Sequence, residues 1–233
     1  HEHMALYLRL LGRTEEAIHS VQRALELLEG GGPPSPERCA ALHDFWGHLA
    51  RDGGDIDASV MHHEIACAGH PKGVEFLSNL AIACADHPER ADDALEMIRR
   101  ATRRAPTRAD LHFNHAKIEV KVGAEDEAIR ALDRTLSLDP RHVGATMELA
   151  SLHERAGRRE AAERRLTALL DACADAHDIR FNRGLLLLRH QRWEDGFLDF
   201  EARYDMPDIP TAAIETPRWV HHRDPLPAAR CLP

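Results

Sequence analysis

Residues 109–142 read ADLHFNHAKIEVKVGAEDEAIRALDRTLSLDPRH, and this stretch recurs along the chain at a fixed distance. Ala116, Ala150 and Gly184 stand 34 residues apart, as do Ala128, Ala162 and Gly196, and so do Pro106 and Pro140. A period of this length marks a chain made of one small helical unit stacked on itself. Numbered 1 to 34 from Ala109, the unit has small residues at positions 8 (Ala116) and 20 (Ala128). Small side chains there let the two helices of a hairpin approach closely. Positions 4, 7, 11 and 24 hold the larger packing residues (Leu132 at 24), and a late proline ends the second helix. No segment shows the alternation of a half-buried strand. The expectation is an all-α solenoid of antiparallel helix hairpins.

The same phase divides the rest of the chain. Units run over 143–176 and 177–204, and backwards over 74–108 and 40–73. The 74–108 unit has one extra residue, placed near Asp86–Glu89 between its helices. The 40–73 unit carries Ser59 at position 20 and His63 at position 24, so its second helix fits the pattern least well. A first, clipped unit covers 1–29, with His1 already at position 4. Gly30–Pro36 (GGGPPSP) reads as an inserted loop, and 205–233 as a Pro-rich irregular tail without helical period. With its markers recurring in phase over 1–204, the chain resembles the tetratricopeptide repeat (TPR) family. That resemblance implies a right-handed superhelical solenoid, and a non-catalytic scaffold that binds a protein or an extended peptide along a concave groove.

Composition narrows the partners. The net charge of −9 argues against wholesale nucleic-acid binding. The longest apolar run, Leu185–Leu188, is far too short to span a bilayer, so no membrane partner is expected. Five scattered cysteines without a CxxC pair read as reduced thiols, and no secretory leader is visible, which together suggest a cytoplasmic setting. Cys67 and Cys84 fall at inward helix positions.

At about 100° per residue, positions 6, 9 and 13 lie opposite the packed side of the first helix and are expected to face the groove. Position 6 holds Asn79, Asn114, Glu148 and Asn182, and Phe45 in the second unit. Asparagine offers both a donor and an acceptor to a peptide backbone. This row resembles the asparagine ladder of the TPR array in O-linked N-acetylglucosamine transferases. Packing between repeats would also explain it. Positions 9 and 13 add Lys117, Lys121, Arg155 and Arg189, a stripe resembling the carboxylate clamp of chaperone-binding TPR proteins and suited to an acidic partner. The candidate peptide-binding residues are therefore Asn79, Asn114, Lys117, Lys121, Arg155, Asn182 and Arg189.

No catalytic motif is visible: GxSxG, GxxxxGK[ST] and HExxH are all missing, so neither an enzyme activity nor a cofactor is expected. His62–His63, His112/His115 and His221–His222 invite a metal reading, but no Cys/His set has zinc spacing, and no metal site is expected. The last unit carries Asn182-Arg-Gly184, Trp193-Glu-Asp-Gly196-Phe and Phe200-Glu201-x-Arg203-Tyr, followed by Pro217-Arg-Trp219 and Pro225-Leu226. These strings resemble the junction in bacterial TPR proteins where the array leads into a glycosyltransferase-like domain, although Val220-His221 stands where that family has Gly. This resemblance implies an alternative, the substrate-recruiting arm of a larger enzyme. A third reading is a structural oligomerisation module. Arrays need a polar cap at each end. Without a solvating helix after Arg203, the last unit's apolar edge is expected to be covered by tail residues such as Trp219, or to self-associate.

Overall fold

A computed structural model describes residues 2–30, 35–172 and 177–205 of the chain. Among these residues there are twelve α-helices and no strand. Up to Asp139 they form one compact unit of four hairpins. These pair α1 (Glu2–Leu10) with α2 (Thr14–Gly30), α3 (Pro36–Asp52) with α4 (Ile56–Gly69), α5 (Val74–Asp86) with α6 (Ala91–Arg104), and α7 (Ala109–Lys121) with α8 (Glu125–Leu138). From Pro140 a second unit holds two more, α9 (Val143–Arg155) with α10 (Arg159–Ala172) and α11 (His177–Arg189) with α12 (Trp193–Phe200). A 3₁₀ turn, Glu201–Asp205, follows α12 and packs on α11. The tail beyond it, with Trp219 and Pro217–Leu226, lies outside the described residues, as do 31–34 in the inserted loop and 173–176.

One turn recurs between paired helices. Position 15 is Gly12, Gly54, Gly123 and Gly157 in four hairpins, each with positive φ, and Gln191 takes the same place in the last at φ 61°. The left-handed residue lets the chain reverse while the next amide reaches back five residues to a carbonyl at the end of the first helix. Examples are Ala124 to Glu119 at 2.8 Å and Arg192 to Leu187 at 3.0 Å. The α5–α6 hairpin, with its extra residue, uses a different turn through His87–Glu89. α3 starts at Pro36, a full turn ahead of the repeat boundary at 40, because Pro36 suits the first helical position and Ser35 caps the Arg38 amide.

Packing follows the small–large pattern. Ala116, Ala128 and Leu132 are fully buried in the α7–α8 hairpin, as are Ala81, Ala94 and Ile98 in the α5–α6 hairpin. Each buried Leu or Ile of this kind contributes about 1.5–3 kcal/mol relative to exposure. In the last hairpin the small residues are glycines: a Cβ on Gly184 would lie 2.6 Å from the Phe200 amide nitrogen. Beside it Arg183 grips the buried carboxylate of Asp199 with two nitrogens, at 2.6 and 3.1 Å. The expected inward placement of Cys84 and Cys67 holds, and burial pushes both thiols up to about 11.

Candidate functional site

In the first unit the first helices of successive hairpins touch, α3 with α5 and α5 with α7, and form one wall. The position-6 asparagines sit in the seams of that wall. Asn79 donates to both carboxylate oxygens of Asp44, at 3.0 Å each, and Asn114 donates to the Ser78 hydroxyl at 3.1 Å. Each amide thus reaches position 5 of the preceding repeat. Lys121 pairs with Asp86, likewise one repeat back. Lys117 is exposed and lies 5.8 Å from the ring centroid of Phe113 on its own helix.

In the second unit Asn182 turns to its own helix and donates to the Asp178 carbonyl at 2.7 Å. Arg189 donates to both oxygens of Glu154, at 3.0 Å each, and Arg155 is exposed in the last turn of α9. Between α9, α10 and α11 a cleft of about 210 Å³ brings Asn182 and Arg189 together. Met147, Ser151 and Glu154 face them from α9, and Leu185 joins from α11. The cleft therefore pairs an apolar floor with an amide, a hydroxyl and an ion pair at its rim.

The α3–α4 hairpin holds a polar core that the sequence reading missed. His63, at position 24 where the 109–142 and 143–176 units place leucine, is 1% exposed and meets the Asp44 carboxylate through Nδ1 at 2.9 Å. It fits because position 8 is glycine: a Cβ on Gly47 would lie 2.6 Å from His63 Nε2. His48 stacks edge-on against His63, with its Nε2 3.6 Å from Asp44. Burial raises the Asp44 pKa, but hydrogen bonds from His48, His63 and Asn79 outweigh it and hold the carboxyl well below its ordinary range. Burial lowers the pKa of His63. Alongside, His62 stacks on Trp46 with ring centroids 4.0 Å apart, and its Nδ1 lies 3.0 Å from that of His43. Burial, followed by repulsion from its histidine neighbours, brings His62 down to about 4.

This hairpin bears on one expectation. No metal site is expected from the sequence, and Asp44, His48 and His63 offer ligand atoms all within 4.8 Å of one another. A search for zinc spacing could not find them, because the third member lies on the next helix and one of the three is a carboxylate. A signal was present: His63 and Gly47 stand together at positions that hold leucine and alanine in the 109–142 unit.

The comparisons agree with this architecture. Two Tetratricopeptide repeat family models match, one over residues 119–180 and the other over 89–143. Among solved structures, a thermophilic TPR protein of Thermus thermophilus is 20% identical with a TM-score of 0.60, over 80% of this chain and 97% of that one. A tetratricopeptide repeat protein from Parabacteroides merdae ATCC 43184 is 18% identical with a TM-score of 0.64, over 87% and 77%. YrrB, described as a TPR protein with an unusual peptide-binding site, is 15% identical with a TM-score of 0.51, over 81% and 93%. Among curated proteins, none matches this sequence. Residues 89–180 thus match tetratricopeptide repeat models, the described residues share the all-helical fold of such proteins, and the comparisons give no support to the glycosyltransferase-like junction. Among the described residues, no helix is long and apolar enough to cross a membrane.

Proposed function

We propose that this tetratricopeptide array is a non-catalytic scaffold that holds an extended peptide in the α9–α11 cleft. The observation that carries the reading is the placement of Asn182, Leu185 and Arg189 opposite Met147, Ser151 and Glu154 around one open cavity. Asn182 and Ser151 supply donors and acceptors for a peptide backbone, and Met147 and Leu185 give an apolar side chain a seat. Because Glu154 already balances Arg189, the cleft suits a polar–apolar segment better than a strongly acidic one. An acidic partner is better served by the exposed Lys117 on α7. The peptide-binding site that YrrB is described as having supports the general mode of use.

Peptide-display selection on the full chain tests this, with counter-screening against an Asn182→Ala/Leu185→Asp variant. Enriched peptides should lose at least tenfold in affinity for the variant, about 1.4 kcal/mol. Peptides that bind both proteins equally, or no enrichment, would overturn the reading.

A second reading, a self-associating structural module, is favoured by Trp193, Phe197 and Leu198 on α12, all 43% exposed or more. Light scattering across a concentration series, repeated with Phe197→Glu, tests it. A mass that rises in the wild type and not in the variant supports it, and a constant monomer mass overturns it.

A further inference from the structure

We infer that the α3–α4 hairpin binds a divalent ion of the zinc class between Asp44, His48 and His63. Asp44 and His48 are four residues apart on α3 and so share a face, and His63 meets them from α4. Two imidazoles and a carboxylate form a donor set that suits zinc, cobalt or nickel and disfavours magnesium or calcium. Ligand atoms around a tetrahedral zinc lie roughly 3.3–3.5 Å apart, given bond lengths of about 2.0–2.2 Å. The three ligand atoms lie within 4.8 Å of one another, so binding would draw the widest pair in by roughly 1.3–1.5 Å.

The surroundings are those of a built site. Asn79 on α5 donates to both oxygens of Asp44, which orients the carboxylate as outer partners orient metal ligands. Gly47 clears the space in which the His63 ring stands. The side chains of His48 and Asp44 are 24% and 16% exposed, so solvent reaches this side of the ligand set. Three protein ligands from two helices would clasp the hairpin whose second helix departs furthest from the repeat pattern. The ion's binding energy would then add to the stability of that hairpin.

The test uses the tag-free full chain, stripped with EDTA and desalted. Titration with Co²⁺ should give the visible absorption of a tetrahedral complex, saturating at one ion per chain and abolished by Zn²⁺. The melting temperature should rise with the logarithm of free Zn²⁺. His48→Ala changes a partly exposed side chain, so it should melt close to the wild type in EDTA while losing at least tenfold in Co²⁺ affinity. Asp44→Asn gives a second reading if that variant does not fold, and His43→Ala is the control outside the site. Lack of a tetrahedral spectrum would mean that Asp44 and His63 are only a hydrogen-bonded core pair, and the inference fails. It fails equally if His48→Ala binds as the wild type does, or if His43→Ala is the variant that loses the ion.

Discussion

His63 Nε2 stands where a side chain on Gly47 would begin, 2.6 Å from an ideal Cβ. The two residues have exchanged size relative to Ala116 and Leu132, which hold the same places in the α7–α8 hairpin. Gly47→Ala is therefore expected to overpack the α3–α4 hairpin and destabilise the chain by about 1–3 kcal/mol. Gly47→Ala/His63→Leu restores the arrangement of the other hairpin and should recover part of that loss. Urea unfolding of the single and double variants in EDTA measures the coupling. Equal loss in both would show that the pair is not the source of the strain.

Asn114→Ala should cost about 1 kcal/mol, because the buried Ser78 hydroxyl loses the partner it has in the neighbouring repeat. Asn182→Ala should cost less, since that amide only returns to a carbonyl on its own helix. Denaturant midpoints compare the two, and a larger loss at Asn182 would contradict the seam role of Asn114.

This contrast shows what the sequence could and could not reveal. The hairpins were legible because Ala116, Ala128 and Leu132 recur at a fixed spacing, and spacing along one chain is what a period measures. Which of the two readings of Asn79 and Asn114, ladder or packing between repeats, holds was not legible. A helical wheel places them opposite the packed side, but it says nothing about the preceding repeat, whose Asp44 and Ser78 lie beside them. The spacing places Lys121 and Arg189 on the groove side but, for the same reason, does not show that acids one repeat back pair with them. The Asp44–His48–His63 group was hidden because it is assembled across the hairpin.

Acid should weaken the first unit through His115. Burial lowers its pKa from the ordinary 6.5 despite the nearby Glu119, 3.0 Å from its Nε2, which favours the cation. The unfolded chain then binds the proton more readily than the folded one. The stability tied to this group is complete above about pH 6.5 and is lost as pH falls through the lower folded value. His115→Gln removes that loss, so the difference in unfolding free energy between pH 7 and pH 5 should be smaller in the variant. An unchanged difference would assign the acid sensitivity to other groups.

Gln191 is the one described residue other than glycine with positive φ, and it occupies the turn position that four other hairpins give to glycine. A side chain in the left-handed region crowds its own backbone, at a cost of about 1–2 kcal/mol per residue. Glycine avoids that strain but has more freedom to lose on folding, so Gln191→Gly should stabilise the second unit by about 0.5–1 kcal/mol net. The amide of Arg192 reaches back to the Leu187 carbonyl across this residue, so exchange of the Arg192 amide should slow in the variant. Thermal unfolding and amide exchange together separate the outcomes. A lower melting temperature or faster exchange at Arg192 would mean that the glutamine side chain makes a favourable contact outweighing the strain of its backbone.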